Sequence, residues 1–283
     1  MTTFTSISDT CFWVAQYRAE ESKRSDAMFV DPYASLLAGD KGRELVQKVG
    51  DKSRYVHWTV CARTVIIDRF IQELINEGVD TVTNWGAGMD SRPYRMTNLP
   101  ASLQWIEVDT AEVIAYKEEK LANEKPVCQL QRVKMDFSKF DEVEKTFKTL
   151  APSAKKILVL TEGVLPYLTE AEVQRFAGLL NSNPAIQYWI AEYHHPSVYF
   201  YLKQNVKQLD MKNAPFLFFP EDWYGFFKKL NWSEKKTVYS GDIGKEFGRK
   251  PPMPAFIKLI FPFLPKRIKE DAGRRTGFII FQK

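Results

Sequence analysis

The sequence has few cysteines and no block of like charges, and each absence excludes a class of protein. Its three cysteines, Cys11, Cys61 and Cys128, lie far apart, and no Cys-x-x-Cys or Cys/His spacing is present that could bind zinc. We therefore expect reduced thiols and no metal site. The net charge of +5 comes without the Lys/Arg blocks of a nucleic-acid binder, so no nucleic-acid partner is expected.

Apolar residues are numerous but never continuous over a long stretch. No segment approaches the roughly 18 uninterrupted apolar residues that would cross a bilayer, and the N-terminal residues lack a basic region ahead of an apolar one. These features predict a cytoplasmic protein without stable membrane insertion. With 283 residues, 45% of them hydrophobic, and no internal repeat or low-complexity linker, a single domain over residues 1–283 is favoured.

Strand-like and helix-like segments alternate through the middle of the chain. Short runs with β-strand character occupy residues 79–85, 103–109, 130–136, 156–162 and 185–192. Helical patterns lie between them at residues 110–122, 139–149 and 169–180, and capping residues at Thr110 or Asp109 and at Thr169 with Glu172 support two of them. Such alternation predicts a parallel sheet covered on both faces, with a ligand across the carboxyl ends of its strands.

Four segments make up the predicted domain. Residues 1–78 form an N-terminal helical cover, because apolar positions recur there every three or four residues. Residues 79–192 form the cofactor-binding core. Residues 193–224 are too long and too aromatic for an ordinary connection, so we predict a lid insertion. Residues 225–283 supply a terminal helix and two closing antiparallel strands, which an insertion at 249–270 interrupts.

The sequence NWGAGMDSRPYR follows the first predicted strand. Gly86, Ala87 and Gly88 would form a sharp turn whose unpaired backbone N–H groups face a polar ligand, while Asp90 or Ser91 caps the next helix. Ser91 stands at the third glycine position of the dinucleotide fingerprint, so the match to that fingerprint is weak. The turn indicates a nucleotide-like cofactor, and a plain strand-to-helix turn is the alternative.

Acidic residues end the next three predicted strands. Asp109 lies where a carboxylate accepts both hydroxyls of a ribose, although it could also cap the following helix. Asp136 could accept from an adenine amino group beside the apolar ring of Phe137. Glu162 adds negative charge, which suits a cationic sulfonium ligand better than the pyrophosphate of NAD.

Four stretches together resemble the leucine carboxyl methyltransferase family, which includes bacterial polyketide O-methyltransferase-like members. They are RAEESKRSDAMFVDPYASLLAG, CARTVIIDRF, TNWGAGMDSRPYR with EVDTAEVIAYK, and LTEGVLPYLTEAEV. The resemblance implies an α/β, Rossmann-like class I methyltransferase fold, with a mostly parallel seven-stranded sheet and helices on both faces. It also implies S-adenosylmethionine as cofactor, S-adenosylhomocysteine as product, and no metal.

The same resemblance implies a set of cofactor-binding residues. Arg18 and Arg63 would clamp the methionyl carboxylate, and a bidentate guanidinium suits that group. Glu162 would lie at the amino group or the sulfonium. The complete predicted set is Arg18, Arg63, Gly86, Ala87, Gly88, Asp109, Asp136, Phe137 and Glu162.

The acceptor is expected to be a carboxylate or a hydroxyl of a small hydrophobic molecule. A carboxylate is ionised at neutral pH and needs no base, whereas a hydroxyl must lose a proton. Tyr193, His194 and His195, at the exit of the fifth strand, are therefore candidate catalytic residues at the cleft rim, with a solvated loop as the alternative. Two alternative functions remain. The chain could be an NAD-linked oxidoreductase, or it could be a non-catalytic cofactor-binding protein that engages a partner through residues 249–270.

Both C-terminal insertions carry apolar side chains. Phe216, Phe218 and Phe219 suggest a hydrophobic acceptor beneath the lid, or simple packing of the lid onto the core. The basic, apolar segment 249–270 could pack on its own domain, mediate a dimer or contact a carrier protein. Its internal prolines make an amphipathic membrane helix the least favoured reading.

Overall fold

A computed structural model describes residues 8–137, 139–150, 154–208, 215–249, 251–252, 259, 263 and 265–283. The strands come from the short runs that are rich in β-branched and aromatic residues. They are β1 (Thr81–Trp85), β2 (Gln104–Asp109), β3 (Gln129–Lys134), β4 (Ile157–Leu160), β5 (Ile186–His194), β6 (Ser233–Tyr239) and β7 (Thr276–Gln282).

The helices of the described residues lie before and between these strands. The first three precede the sheet: α1 (Asp9–Ser22), α2 (Ala34–Val49) and α3 (Arg54–Asn76). Those between strands are α4 (Arg92–Arg95), α5 (Ala111–Lys120), α6 (Phe140–Thr149), α7 (Glu170–Ser182), α8 (Tyr199–Gln208), α9 (Trp223–Lys229), α10 (Ser240–Glu246) and α11 (Lys266–Gly273). Short 3-10 turns occupy Gly50–Ser53, Leu165–Tyr167 and Pro196–Val198.

All seven strands join one sheet in the order β3-β2-β1-β4-β5-β7-β6. Strands β1 to β5 are parallel, and β7 runs antiparallel between β5 and β6. The predicted mostly parallel, seven-stranded sheet is confirmed. The two closing strands also pair as predicted, although α10 and α11 separate them along the chain.

Apolar clusters cover both faces of the sheet, which explains why β1 and β4 are buried along their whole length. On one face α3 packs against alternate strand residues through Ile67, Ile71 and Leu74. On the other face the side chains of α6, α7 and α9 surround a cluster of large rings. A third cluster joins α1, α2, α3 and α5 and holds these helices over the carboxyl ends of the strands.

Local signals at the helix ends agree with the structure at two places and differ at a third. The Thr110 side chain caps α5, and Thr169 with Glu172 forms the predicted capping box of α7. The helix after the glycine turn is only one turn long. The Ser91 side chain does not cap it, and its hydroxyl donates to Asp31 Oδ2 at 2.6 Å. Asp90, the other predicted capping residue, accepts from the Arg92 amide through Oδ1 at 2.9 Å.

Candidate functional site

A cavity of about 810 Å³ crosses the carboxyl ends of β1 to β5 and of their loops, and α1 and α3 form its opposite wall. Because parallel strands end at one edge of the sheet, residues distant in sequence meet there. The structure brings all nine predicted cofactor-binding residues to this cavity: Arg18, Arg63, Gly86, Ala87, Gly88, Asp109, Asp136, Phe137 and Glu162. Their placement agrees with the prediction, and their roles stay predictions.

The glycine turn connects β1 to the end of β2. Gly86 and Gly88 have φ values of 69° and 49°, which favour glycine because a Cβ atom is strained there. The expectation of unpaired amides is wrong, since Gly86 N and Ala87 N donate to the Val108 carbonyl at 2.8 and 3.2 Å and Gly88 N donates to Asp109 Oδ2 at 2.7 Å. The turn therefore holds the β2 end in place instead of offering free N–H groups to an anion.

Two amides hold the Asp109 carboxylate at the cavity wall. Oδ2 accepts from Gly88 N, and Oδ1 accepts from Thr110 N at 2.7 Å. Burial raises the pKa of Asp109, and these two hydrogen bonds oppose the rise. Each carboxylate oxygen keeps acceptor capacity for a further donor.

Arg18 and Arg63 come to the cavity from α1 and α3. Arg18 Nε lies 2.9 Å from Asp31 Oδ2, and its Nη2 donates to the Met89 carbonyl. Arg63 Nε lies 2.8 Å from Glu162 Oε1. Acidic partners thus hold both guanidinium groups at the cavity wall, on the side of the glycine turn and the β4 end.

Arg92, which the sequence analysis did not single out, organises the acids beneath the turn. Its Nη1 lies 2.7 Å from Glu162 Oε2 and 2.9 Å from Asp90 Oδ2, while its Nε lies 2.7 Å from Asp68 Oδ1. Burial alone would raise the pKa of Glu162, but Arg92 and Arg63 outweigh it and hold that pKa below its usual value. Glu162 is therefore an ionised carboxylate in a fixed orientation.

Glu192 is a second residue that the sequence analysis did not select. Burial raises its pKa to about 7, although the charge of Arg63 opposes the rise. Its Oε1 accepts from the Gly163 amide, and its buried Oε2 has no hydrogen-bond partner among the described residues. The signal that could have found it is the alternation of polar residues at Glu192 and His194, which extends β5 two residues beyond its predicted end.

Of the three candidate catalytic residues, only His194 lines the cavity. Burial, with a contribution from the charge of Arg63, lowers the pKa of His194 to about 4, so its imidazole is neutral at neutral pH. The predicted rim position is wrong for Tyr193 and His195. Adjacent strand residues face opposite sides of the sheet, so Tyr193 points away from the cavity and packs among the rings of α9 and β6. His195 follows the end of β5, is exposed, and contacts the Ser197 hydroxyl at 2.8 Å.

The predicted lid segment contributes part of the cavity wall. Leu202, Phe216 and Leu217 line the cavity, whereas Phe218 belongs to the buried core and Phe219 contacts the ring of Tyr199. Both alternatives for these aromatic residues therefore apply, each to different residues. Residues 209–214 lie outside the described part of the chain.

Half of the 249–270 insertion also lies outside the described residues, namely residues 250, 253–258, 260–262 and 264. Leu259 and Phe263, which are described, are exposed. The predictions of self-packing, a dimer or a carrier-protein contact through this segment stay predictions. Within the ranges that the structure describes, no helix is both long and apolar enough to span a membrane.

Away from the cavity, Glu21, His57 and Cys61 bring three potential metal ligands together. Arg249 donates to Glu21 Oε2 at 3.0 Å and also contacts Oε1 at 2.5 Å. A guanidinium in this position supplies the positive charge that a metal would otherwise bring.

The family model "Leucine carboxyl methyltransferase" matches residues 11–180, which is more than half of the chain. A Frankia alni protein named "Putative S-adenosyl-L-methionine-dependent methyltransferase" is 31% identical over 174 residues, covering 58% of this chain and 60% of that protein. A Streptomyces coelicolor protein of the same description is 32% identical over 176 residues, covering 58% and 61%. The matched part thus spans about three fifths of these curated relatives.

Solved structures share the fold over nearly the whole chain. A protein from Thermobifida fusca, titled a putative methyltransferase, superposes with a TM-score of 0.58 at 13% identity, covering 89% of this chain and 92% of that one. A DUF574 family protein from Streptomyces avermitilis gives a TM-score of 0.57 at 11% identity, covering 95% and 96%. The predicted Rossmann-like class I fold is confirmed.

Proposed function

Because the chain belongs to the leucine carboxyl methyltransferase family, we propose that it is an S-adenosylmethionine-dependent O-methyltransferase that acts on a carboxylate or hydroxyl of a small hydrophobic acceptor. The observation that carries the proposal is the convergence of nine residues from six chain segments on one cavity. Pockets for a single ligand span about 300–1,000 Å³. At about 810 Å³, this cavity lies in the upper part of that range.

The donor fits the part of the cavity that lies over β3, β2, β1 and β4. Asp109 would accept from the ribose hydroxyls, while Asp136 and Phe137 would hold the adenine. Ionised Glu162 suits the positive charge of the amino or sulfonium group, and Arg18 and Arg63 suit the carboxylate. Bound there, the sulfonium supplies an activated methyl group.

The chain's own contribution to transfer would be position and exclusion of water. Leu202, Phe216, Leu217 and Phe278 provide apolar walls of the cavity. Holding acceptor and donor in line replaces a bimolecular encounter, an effect worth up to about 7–11 kcal/mol of the barrier. A hydrophobic acceptor is the class that such walls bind.

An NAD-linked oxidoreductase is the competing enzyme class. A pyrophosphate would be repelled by the carboxylates of Asp90, Asp109 and Glu162 near the turn. The amides of Gly86, Ala87 and Gly88 could not bind it, because they already donate within the protein. Thermal unfolding with S-adenosylmethionine, S-adenosylhomocysteine, NAD⁺ or NADH separates the two proposals. We expect both S-adenosyl compounds to raise the Tm and neither nicotinamide compound to do so.

A non-catalytic binding protein is the competing class outside enzymes. It shares the Tm rise with S-adenosylhomocysteine, so turnover must separate it from the proposed enzyme. We would incubate the protein with methyl-labelled S-adenosylmethionine and a panel of small hydrophobic acids, phenols and alcohols. Formation of S-adenosylhomocysteine with a labelled product supports the enzyme, and binding without transfer to any acceptor supports the alternative.

A further inference from the structure

We propose that the end of the cavity over β5 and β7 is an acceptor subsite for a neutral hydroxyl group, and that Glu192 accepts the proton of that hydroxyl during methyl transfer. This inference rests on the proposed function, because it takes the other end of the cavity as the donor site. It selects a hydroxyl as the methyl acceptor, whereas the proposed function allows a carboxylate or a hydroxyl.

The position of Glu192 along the sheet edge is the first reason. The donor residues follow β3, β2, β1 and β4, so β5 and β7 lie next in the sheet order. Glu192 and His194 sit on the same face of β5, and their partners across the ladder are Phe278 and Thr276 of β7. All four line the cavity, which continues past the donor residues to this end.

Buried polar atoms without partners are the second reason. Gly163 N donates to Glu192 Oε1 and fixes the carboxyl group, while Oε2 is buried and has no hydrogen-bond partner within the described ranges. The same holds for Nδ1 of His194, two residues along the strand. A buried polar atom without a partner is costly, so a polar ligand group that bonds here is favoured.

The charges around the cavity favour a neutral acceptor over an anionic one. The acidic residues in the described lining outnumber the basic ones; they are Asp90, Asp109, Asp136, Glu162, Glu172 and Glu192, against Arg18 and Arg63. Both arginines already have acidic partners, and the donor carboxylate would engage them further. A carboxylate acceptor at Glu192 would therefore meet like charge, whereas a hydroxyl can donate to Glu192.

The protonation state of Glu192 suits a base at neutral pH. Four charged or titratable groups face Glu192. They are Arg63 from α3, Glu162 after β4, Tyr167 from the 3-10 turn Leu165–Tyr167, and His194, which lies two residues further along β5. Burial is the largest influence, and it raises the pKa of Glu192 to about 7. A base whose pKa lies near the working pH is both available as the anion and strong enough to take a proton.

The transfer step balances with these groups alone. A lone pair of the acceptor oxygen forms the new bond to the methyl carbon, and the carbon–sulfur bond of the donor breaks with its electrons retained by sulfur. The acceptor O–H bond breaks with its electrons retained by oxygen, and the proton moves to Glu192 Oε2. The products are a methyl ether, a neutral thioether and a protonated Glu192, which then returns its proton to solvent.

The first test needs no turnover. Infrared difference spectra of the protein with bound S-adenosylhomocysteine, recorded from about pH 5 to about pH 9, above the pKa values of ordinary carboxyl groups, should show one carboxyl that ionises near neutral pH. That signal should be absent in Glu192→Gln and present in Glu77→Gln, a control that removes a carboxylate contacting Tyr188 at the other end of β5. Absence of such a signal from the wild type would overturn the inference, whether or not the variants fold.

The second test compares two probes with one carbon skeleton, 2-naphthol and 2-naphthoic acid. We expect methyl transfer to 2-naphthol, with a rate that rises as Glu192 ionises and a kcat that Glu192→Gln lowers by about 100-fold or more. The affinity for S-adenosylhomocysteine should change by less than about twofold in that variant, because Glu192 lies outside the donor site. Glu192→Asp keeps a carboxyl group and should retain more activity than Glu192→Gln.

The outcomes separate this inference from the proposed function. A protein that does not bind S-adenosylhomocysteine fails the proposed function. A protein that binds it but prefers 2-naphthoic acid, or whose Glu192→Gln variant keeps the wild-type kcat, leaves the proposed function intact and overturns the inference. If neither probe is methylated, the affinities of the two probes for the protein–S-adenosylhomocysteine complex decide. Tighter binding of 2-naphthol than of 2-naphthoic acid supports the inference. Equal or weaker binding of 2-naphthol, or no binding of either probe, overturns it.

Discussion

The Nε atom of Arg63 lies 2.8 Å from the Oε1 atom of Glu162, and this ion pair joins α3 to the loop that follows β4. Burial raises the pKa of Glu192, and the charge of Arg63 opposes that rise. Burial and the charge of Arg63 together lower the pKa of His194. One guanidinium thus lies between the donor residues and the proposed acceptor subsite. Changes at Arg63 should therefore affect both ends of the cavity.

Replacing Arg63 by methionine tests that position. Arg63→Met removes a partner of Glu162 and the predicted partner of the donor carboxylate, so the Kd for S-adenosylhomocysteine should rise by about tenfold or more, or about 1.4 kcal/mol. The pKa of Glu192 should also rise, since Arg63 opposes the effect of burial. Calorimetry measures the first effect and infrared titration the second.

Arg69→Met is the matched control on the same helix. Arg69 pairs with Glu246 at 2.6 Å, and both side chains are about half exposed. An exposed pair contributes only about 0–1 kcal/mol to stability. Unchanged S-adenosylhomocysteine binding in Arg63→Met, or an equal loss in Arg69→Met, would contradict the assignment of Arg63 to the donor site.

Arg92 should matter chiefly for stability. Its buried guanidinium contacts Asp68, Asp90 and Glu162, so Arg92→Met leaves buried carboxylates without their cation. Breaking a buried pair in this way costs about 3–5 kcal/mol. Urea unfolding should show a much larger loss in the free energy of unfolding for Arg92→Met than for the control Arg69→Met. A loss in Arg92→Met that is no larger than in Arg69→Met would argue against a buried network.

Acid should destabilise the fold through the same network. Burial would raise the pKa values of Asp90 and Glu162, but Arg92 leads the groups that hold both below their usual values. A carboxyl group whose pKa is lower in the folded state than in the unfolded state stabilises the fold at pH values above its unfolded pKa, about 3.9 for Asp and 4.3 for Glu. That contribution is lost as the pH falls through the pKa of the folded state. The free energy of unfolding should therefore drop below about pH 4, and Glu162→Gln should drop less steeply than the wild type.

The glycine turn gives a prediction for both stability and binding. At Gly88 a side chain would meet a φ of 49° and place its Cβ 2.9 Å from Cys11 Cβ in α1. Gly88→Ala should cost about 1–3 kcal/mol of stability and weaken S-adenosylhomocysteine binding, because the Gly88 amide orients Asp109.

Gly248→Ala is the control for backbone strain alone. Gly248 has a φ of 62°, and an added Cβ would meet nothing within 4 Å. It should lose stability without losing affinity. If both variants bind S-adenosylhomocysteine like the wild type, the turn does not shape the donor site.

The core of the fold was predictable because its signals are local. Apolar runs such as those of β1 and β4 are bounded by polar residues, and helical patterns separate them, so strand order along the chain follows. Asp109 and Asp136 could be placed at one edge because parallel strands end on the same side of a sheet. The resemblance to a known family added Arg18 and Arg63, which no periodicity selects.

The remaining features depend on contacts between distant segments. Arg92 follows the glycine turn by four residues, yet its role arises from Asp68 on α3 and Glu162 after β4. Glu192 looked like the last residue of a strand, and only the two further residues of β5 show that it shares a cavity-facing side with His194. Capping motifs carry no information about such contacts.

Calorimetric titration with S-adenosylhomocysteine tests the central claim most directly, using the wild type, Asp109→Asn and Asp141→Asn. Asp141, an exposed acid at the start of α6, is the control for a loss of charge alone. The account predicts a Kd in the micromolar range or below for the wild type and for Asp141→Asn, and a rise of about tenfold or more, near 1.4 kcal/mol, for Asp109→Asn. Absence of binding to the wild type, or equal affinity in all three proteins, would contradict it.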